Sequence, residues 1–201
     1  MVSLMGQEYF YGLGRRKNYR RAFPYLLDAA ARGYVHAQNL VGFSYEHGLG
    51  VRKHKRAAVF WYTQAAAAGH KEALYNLALL YENGNGVPRN FKKAFQLYKR
   101  AAERGDPVSQ HRLGKMFMEG IGTKQDLKLG IEWLRKAAQK GDRDAQFSLG
   151  VAYRDRVVAH PRLAQLWLTK ATNQGHRKAS LALKTLKASQ RSLRKRKEKV
   201  G

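Results

Sequence analysis

Seven histidines, 14 carboxylate side chains and four GxG glycine pairs are the residues of this chain whose types invite chemistry. The pairs are Gly12/Gly14, Gly48/Gly50, Gly84/Gly86 and Gly120/Gly122. A dinucleotide cradle needs G-x-G-x-x-G after a strand and opening a helix, so that backbone N–H groups meet the pyrophosphate. Here the third glycine is missing, and each pair follows a stretch with helical rather than strand periodicity. No Walker-type lysine follows either. His54, His70, His160 and His176 stand where helices should start, and His36, His47 and His111 are isolated. None shows HExxH or Cys/His ligand spacing. The chain has no cysteine, which removes thiolate ligands and thiol nucleophiles. Glu46, Glu82 and Glu119 read as solvated or groove-lining carboxylates. A Ser-His-Asp arrangement assembles across a fold and leaves no required spacing; nothing in the pattern points to one. The expectation is a protein with no catalytic residues, no metal and no cofactor.

Charge points to partners instead. Thirty-nine Lys and Arg stand against 14 Asp and Glu, a formal net charge of +25 and a pI near 10.5. Such a chain is attracted to nucleic acid, acidic protein surfaces or anionic lipid. With 44% hydrophobic residues, 201 residues can bury a substantial core. No apolar run approaches the ~18–20 residues that cross a bilayer. The opening MVSLMGQEYFYGLGRR lacks a basic region, long apolar stretch and small-residue cleavage site, so a cytoplasmic protein is expected.

The elements that must position these residues appear once periodicity is examined. Gly14, Gly50, Gly86 and Gly122 recur every 36 residues, as do Gly33, Gly69, Gly105 and Gly141; Gly175 follows after 34. The fifth unit, YRDRVVAHPRLA, has lost its GxG and two residues with it. Within each unit Ala37, Val41, Gly42 and Tyr45 match Ala73, Leu77, Ala78 and Tyr81; then Ser109, Leu113, Gly114 and Phe117; then Ala145, Leu149, Gly150 and Tyr153. Steps of four place them on one helical face. Gly or Ala beside the large residue lets a neighbouring helix approach closely. A second stripe runs through Ala58, Trp61, Tyr62, Ala65 and Ala66 and recurs in later units. Each unit is therefore two helices. GxG ends the first, and the later glycine ends the second, where a left-handed residue is needed. Asn18, His54, Asn90, Asp126 and His160 share one helix-start column; Tyr34, His70, Asp106, Asp142 and His176 share the other. The Asn and Asp among them suit N-caps. Pro24 interrupts the second helix of the first unit, which predicts a kink or a late start.

The pattern A-x-x-x-L-G-x-x-Y-x-x-G-x-G-V-x-x-[DN]-x-x-K-A-x-x-W/L-Y-x-[KR]-A-A-x-x-G resembles the Sel-one-like repeat, a relative of the tetratricopeptide repeat with a longer loop between its helices. Stacked helix pairs bury one continuous core. The expected fold is all-α: a right-handed α-solenoid over residues 1–183, in units of about 1–36, 37–72, 73–108, 109–144 and 145–178, with a C-terminal cap helix. Residues 184–201 are expected to form a basic, flexible tail. The resemblance implies a monomeric scaffold that binds protein partners.

Two surfaces emerge from this register. Opposite the core stripe of the first helices lie Asn39, Phe43, Tyr75, Leu79, His111, Lys115, Phe147 and Val151. On a concave face they would receive a protein or peptide. The competing reading is that they pack first helix on first helix. The second surface is basic. RRKNYRR, VRKHKR, PRNFKK and KQDLK occupy one place in successive units. Arg15, Arg16, Arg20, Arg52, Lys53, Lys55, Arg89, Lys92 and Lys93 would stack into one edge, joined by Arg194, Lys195, Arg196 and Lys197 of the tail. That edge would hold RNA, DNA or another polyanion without reading sequence.

Overall fold

A computed structural model describes the backbone of residues 2–155 and 160–198 and the side chains of residues 4–155 and 160–192. Among these are eleven helices and no strand: α1 (Val2–Tyr11), α2 (Tyr19–Ala31), α3 (Val35–His47), α4 (Lys55–Ala67), α5 (Lys71–Asn83), α6 (Phe91–Glu103), α7 (Pro107–Glu119), α8 (Leu127–Gln139), α9 (Arg143–Arg154), α10 (Pro161–Asn173) and α11 (Arg177–Glu198). The shortened fifth loop, residues 156–159, lies outside the described residues. Contacts divide the chain into a first unit, Met1–Ser109 with Ile121–Thr123, and a second, Gln110–Gly120 with Lys124–Gly201.

Helix starts follow the capping columns. Asn18, Asn90 and Asp126 accept from the N–H three residues on at 3.0, 2.9 and 2.9 Å, and His54 does so through Nδ1 at 3.0 Å. His70, Asp106, Asp142 and His176 cap the other column. Tyr34 and His160 make no side-chain cap; Pro161 after His160 needs none for its missing N–H. The caps are also tied back: the N–H groups of His54, Asn90 and Asp126 donate to the carbonyls of Tyr45, Tyr81 and Phe117 at 2.8–2.9 Å. His160 keeps the same bond, to Tyr153 at 2.9 Å, although its loop is shorter.

Inside each pair the two helices meet at the small-residue column. A Cβ added to Gly6, Gly42 or Gly150 would sit 2.8–2.9 Å from the Leu26, Tyr62 or Leu168 side chain. At Gly114 it would meet Leu134 and the Gly130 carbonyl, both at 2.9 Å. In the first unit these contacts feed two clusters, one around Leu26, Leu40 and Val41, the other around Tyr62, Leu74, Leu77 and Leu80. In the second unit one cluster runs from Ile131 through Leu149 and Trp167 to Leu186.

In the second, third and fourth repeats the second glycine of GxG joins one pair to the previous one, while Gly14 has nothing within 4 Å. A Cβ on Gly50 would collide with the Tyr19 carbonyl, on Gly122 with that of Phe91, and on Gly86 it would lie 2.8 Å from that of Lys55. Tyr19, Lys55 and Phe91 are the first residues of α2, α4 and α6. Each loop therefore rests on the second helix of the pair before it, and only a residue without a side chain fits.

Two expectations change. Pro24 neither delays nor ends α2, which runs from Tyr19 through it to Ala31. Pro24 is exposed and close to the helix start, where water can reach the Arg20 carbonyl left without a donor. The boundary at residue 184 does not coincide with an element end: α11 continues to Glu198, and Leu186 is buried in the second unit's core.

The loop contact gives a graded prediction. Gly50→Ala meets both a left-handed backbone (φ 74°) and the Tyr19 carbonyl. Gly33→Ala meets only the backbone term (φ 86°, nothing within 4 Å). Urea unfolding should show a loss of about 1 kcal/mol for Gly33→Ala and roughly 3 kcal/mol or more for Gly50→Ala. Equal losses would contradict loop docking.

Candidate functional site

First helices of the first unit form a cleft of about 360 Å³ across α1, α3 and α5 and the start of α7. Phe10, Leu40, Phe43 and Tyr75 supply its apolar surface, Asn39 and Asn76 its carboxamides, and Glu72 and Asp106 its carboxylates; Tyr11 and Val108 complete it. Asn39 is 8% exposed and accepts a long hydrogen bond (3.5 Å) from Asn76 Nδ2. The Phe43 ring is held edge-on by Phe10 at 6.3 Å and against His47 at 4.3 Å. Tyr75 packs beside the buried Tyr98 ring, 5.8 Å away.

Of the eight residues expected on a receiving face, Asn39, Phe43 and Tyr75 share this cleft. Leu79 is half-buried and lies outside its lining. The other four belong to the second unit and are engaged there. His111 Nε2 is 2.9 Å from Ser148 Oγ, and Lys115 pairs with Glu119 at 3.7 Å. Phe147 stacks on His176 at 4.4 Å, and both it and Val151 pack against the core. Sequence reasoning missed Phe10, Tyr11, Leu40, Glu72, Asn76, Asp106 and Val108. The 36-residue register carried a usable signal, since Leu40 and Asn76 form one column and Glu72 and Val108 another.

Glu46 and Glu82 are half-buried and engaged with the core. They accept from the buried Tyr62 and Tyr98 hydroxyls at 2.8 and 2.6 Å. Burial, with Glu46 beside it, raises the Tyr62 phenol above its ordinary pKa. Glu and Tyr occur together in the second and third repeats. In the fourth the same places hold Met118 and Leu134, so the polar pair is replaced as a pair. Glu119 stands one residue out of that column.

His36 is likewise not isolated. Its Nδ1 lies 3.3 Å from His70 Nε2 and its Nε2 lies 3.4 Å from Tyr11 Oη, at the rim of the cleft. His70 Nδ1 accepts the Ala73 N–H at 3.4 Å as the cap of α5. The same Nδ1 lies 3.2 Å from Glu72 Oε2, so which ring nitrogen donates along this row follows the tautomer. Burial lowers the His70 pKa, with His36 and Lys71 acting the same way and Glu72, 3.2 Å away, opposing. Among the described residues no three His, Asp or Glu side chains are grouped to hold a metal ion.

The basic residues of the first unit lie in the docked loops and at the starts of the second helices. Lys55 Nζ donates to Asn85 Oδ1 of the next loop at 2.9 Å. Arg15 pairs with Glu8 at 2.7 Å and lies over Tyr9; Arg89 lies over Phe91, and Lys93 over Tyr81. Arg16, Arg20, Arg52, Lys53 and Lys92 are exposed and form no ion pair among the described residues. Arg194, Lys195, Arg196 and Lys197 fall on the last turns of α11, and their side chains lie outside the described residues.

The Sel1 repeat family model matches residues 3–34, 35–70, 71–106, 107–142 and 143–176. The chain belongs to the Sel1 repeat family and has its all-α solenoid fold with a C-terminal helix. It is similar to a solved protective antigen present in uropathogenic Escherichia coli strains displaying an SLR fold (31% identity, TM-score 0.85), covering 90% of this chain and 40% of that one. The chain thus spans well under half of that antigen. A Sel1 repeat protein from Oxalobacter formigenes is 34% identical, with TM-score 0.82, over 90% of this chain and 73% of that one. The immunity protein Pa5087 from Pseudomonas aeruginosa shares the fold at 20% identity and TM-score 0.58, over 89% of this chain and 67% of that one. A search of curated proteins gave no match. No helix among the described residues is long and apolar enough to cross a membrane.

The His70 environment predicts a pH dependence. Its pKa is lower folded than unfolded, so the unfolded chain binds more protons. The stability it contributes is complete above the unfolded value near 6.5 and is lost as pH falls through the folded value. His70→Asn keeps a capping acceptor but cannot protonate. Thermal unfolding from pH 7.5 to 5 should show a steeper loss for the wild type than for this variant. Parallel curves would assign the dependence elsewhere.

Proposed function

We propose that this chain is a non-enzymatic scaffold that binds a segment of another protein on the first helices of its first unit. Sel1 repeat proteins generally mediate protein–protein interaction and are generally non-enzymatic. The observation that carries the reading here is the cleft, where the half-exposed Phe43 and Tyr75 rings and the Asn76 carboxamide line a surface on the first helices. Aromatic surface supplies the burial, and carboxamides can both donate to and accept from a peptide backbone. Placing a photo-crosslinking phenylalanine analogue at position 75 should yield protein adducts in cell extract. The same analogue at Lys99, exposed on α6, should yield none. Absence of adducts at 75, or equal yields from both positions, would contradict this reading.

A second reading rests on the five exposed and unpaired cations Arg16, Arg20, Arg52, Lys53 and Lys92. Carried at one place of successive repeats, they suit a polyanion such as RNA. Phosphate binding of this kind releases counterions and weakens steeply with salt. Titration with a single-stranded RNA at about 50 and 200 mM salt should then show roughly a hundredfold or greater loss for five contacts. Replacing these five residues with Gln should remove binding. Negligible binding at the lower salt would sink the polyanion role.

A further inference from the structure

We infer that the first-unit cleft is built for a cationic and apolar partner segment, one carrying Lys or Arg beside Leu- or Phe-type side chains. This rests on the scaffold reading above and names the chemistry of the partner. The argument is charge complementarity. In a chain with 39 Lys and Arg and 14 Asp and Glu, the cleft lining holds Glu72 and Asp106 and no Lys or Arg. The fixed charge of the lining therefore opposes that of the whole molecule.

Both carboxylates retain capacity for a ligand. Asp106 Oδ2 caps α7 by accepting the Ser109 N–H at 2.7 Å, which leaves its other oxygen. Glu72 is exposed. Its protein partners are His70, 3.2 Å away and with its pKa lowered, and Lys71 at the outer limit of an ion pair, 3.9 Å. The same lining holds the Phe43 and Tyr75 rings and the Asn39–Asn76 carboxamides. An incoming cation meets an acid at the rim while its apolar neighbour covers a ring. An acidic segment would place like charges against Glu72 and Asp106 and would be drawn instead to the basic loops.

Two fluorescent amphipathic peptides serve as probes, one of leucine and lysine only and one of leucine and glutamate only. Each is titrated into the full chain at physiological salt, and into Glu72→Gln/Asp106→Asn. The double variant removes both charges while Asn keeps the α7 cap. The leucine–lysine peptide should bind the wild type and lose about fivefold on the double variant, the combined effect of two partly exposed ion pairs. Circular dichroism verifies that the variant folds. Unchanged affinity overturns the proposal. So does equal or tighter binding of the leucine–glutamate peptide. Adducts at position 75 together with an insensitive leucine–lysine titration would leave the scaffold reading standing and remove only the charge assignment.

Discussion

Close approach of the two helices within a pair is the constraint on which the structure depends. Gly6, Gly42, Gly114 and Gly150 remove a side chain where Leu26, Tyr62, Leu134 and Leu168 press in; Ala78 holds the same column in the third repeat. With 36-residue units, each helix is only about three to four turns long, too short to persist alone in water. Its stability comes from packing against its partner and against the next pair. Once a pair closes, its second helix presents a first residue on which the following GxG loop can rest. Pair closure and stacking are thus sequential uses of one device, the absent side chain.

That device also settles how polar groups enter the core. Tyr62 and Tyr98 are fully buried, yet their hydroxyls reach Glu46 and Glu82. A phenol buried without a partner would cost about 1–3 kcal/mol. Where the repeat gives up the tyrosine it gives up the glutamate, as Leu134 and Met118 show. Long side chains do similar work between pairs: Gln38, Arg100 and Gln146 donate to the last carbonyls of preceding second helices, at Ala30, Ala66 and Ala138. Those carbonyls have no donor within their own helix.

Charge is distributed against this frame unevenly. Loops and second-helix starts carry the cations, contrary to what a helix dipole favours. The first helices carry the aromatic and carboxamide groups and two carboxylates. A chain with so large a net charge is attractive to many anions. A cleft of opposite sign is the means by which it could still select a partner that the rest of its surface repels.

The repeat period, helix count per unit, capping columns and family were legible in the sequence, because each depends on residues within one 36-residue window. Asn90 caps α6 through a neighbour three residues on, and Gly42 faces a residue in its own pair. The candidate site was only half legible for a matching reason. Asn39, Phe43 and Tyr75 were visible from helical periodicity. Phe10 joins them from the first repeat and Asp106 from the cap of the next first helix, α7, and which columns converge depends on how one pair is rotated against the next. Helix packing within a pair placed Glu46 under Tyr62, and stacking between pairs placed His36 against His70, where linear spacing showed only isolated polar residues. By itself the sequence determined the fold, because local helix signals and a regular period leave few alternatives. Tertiary structure alone decided which side chains share a surface, because that rotation is set by close packing between repeats and is written in no single one of them.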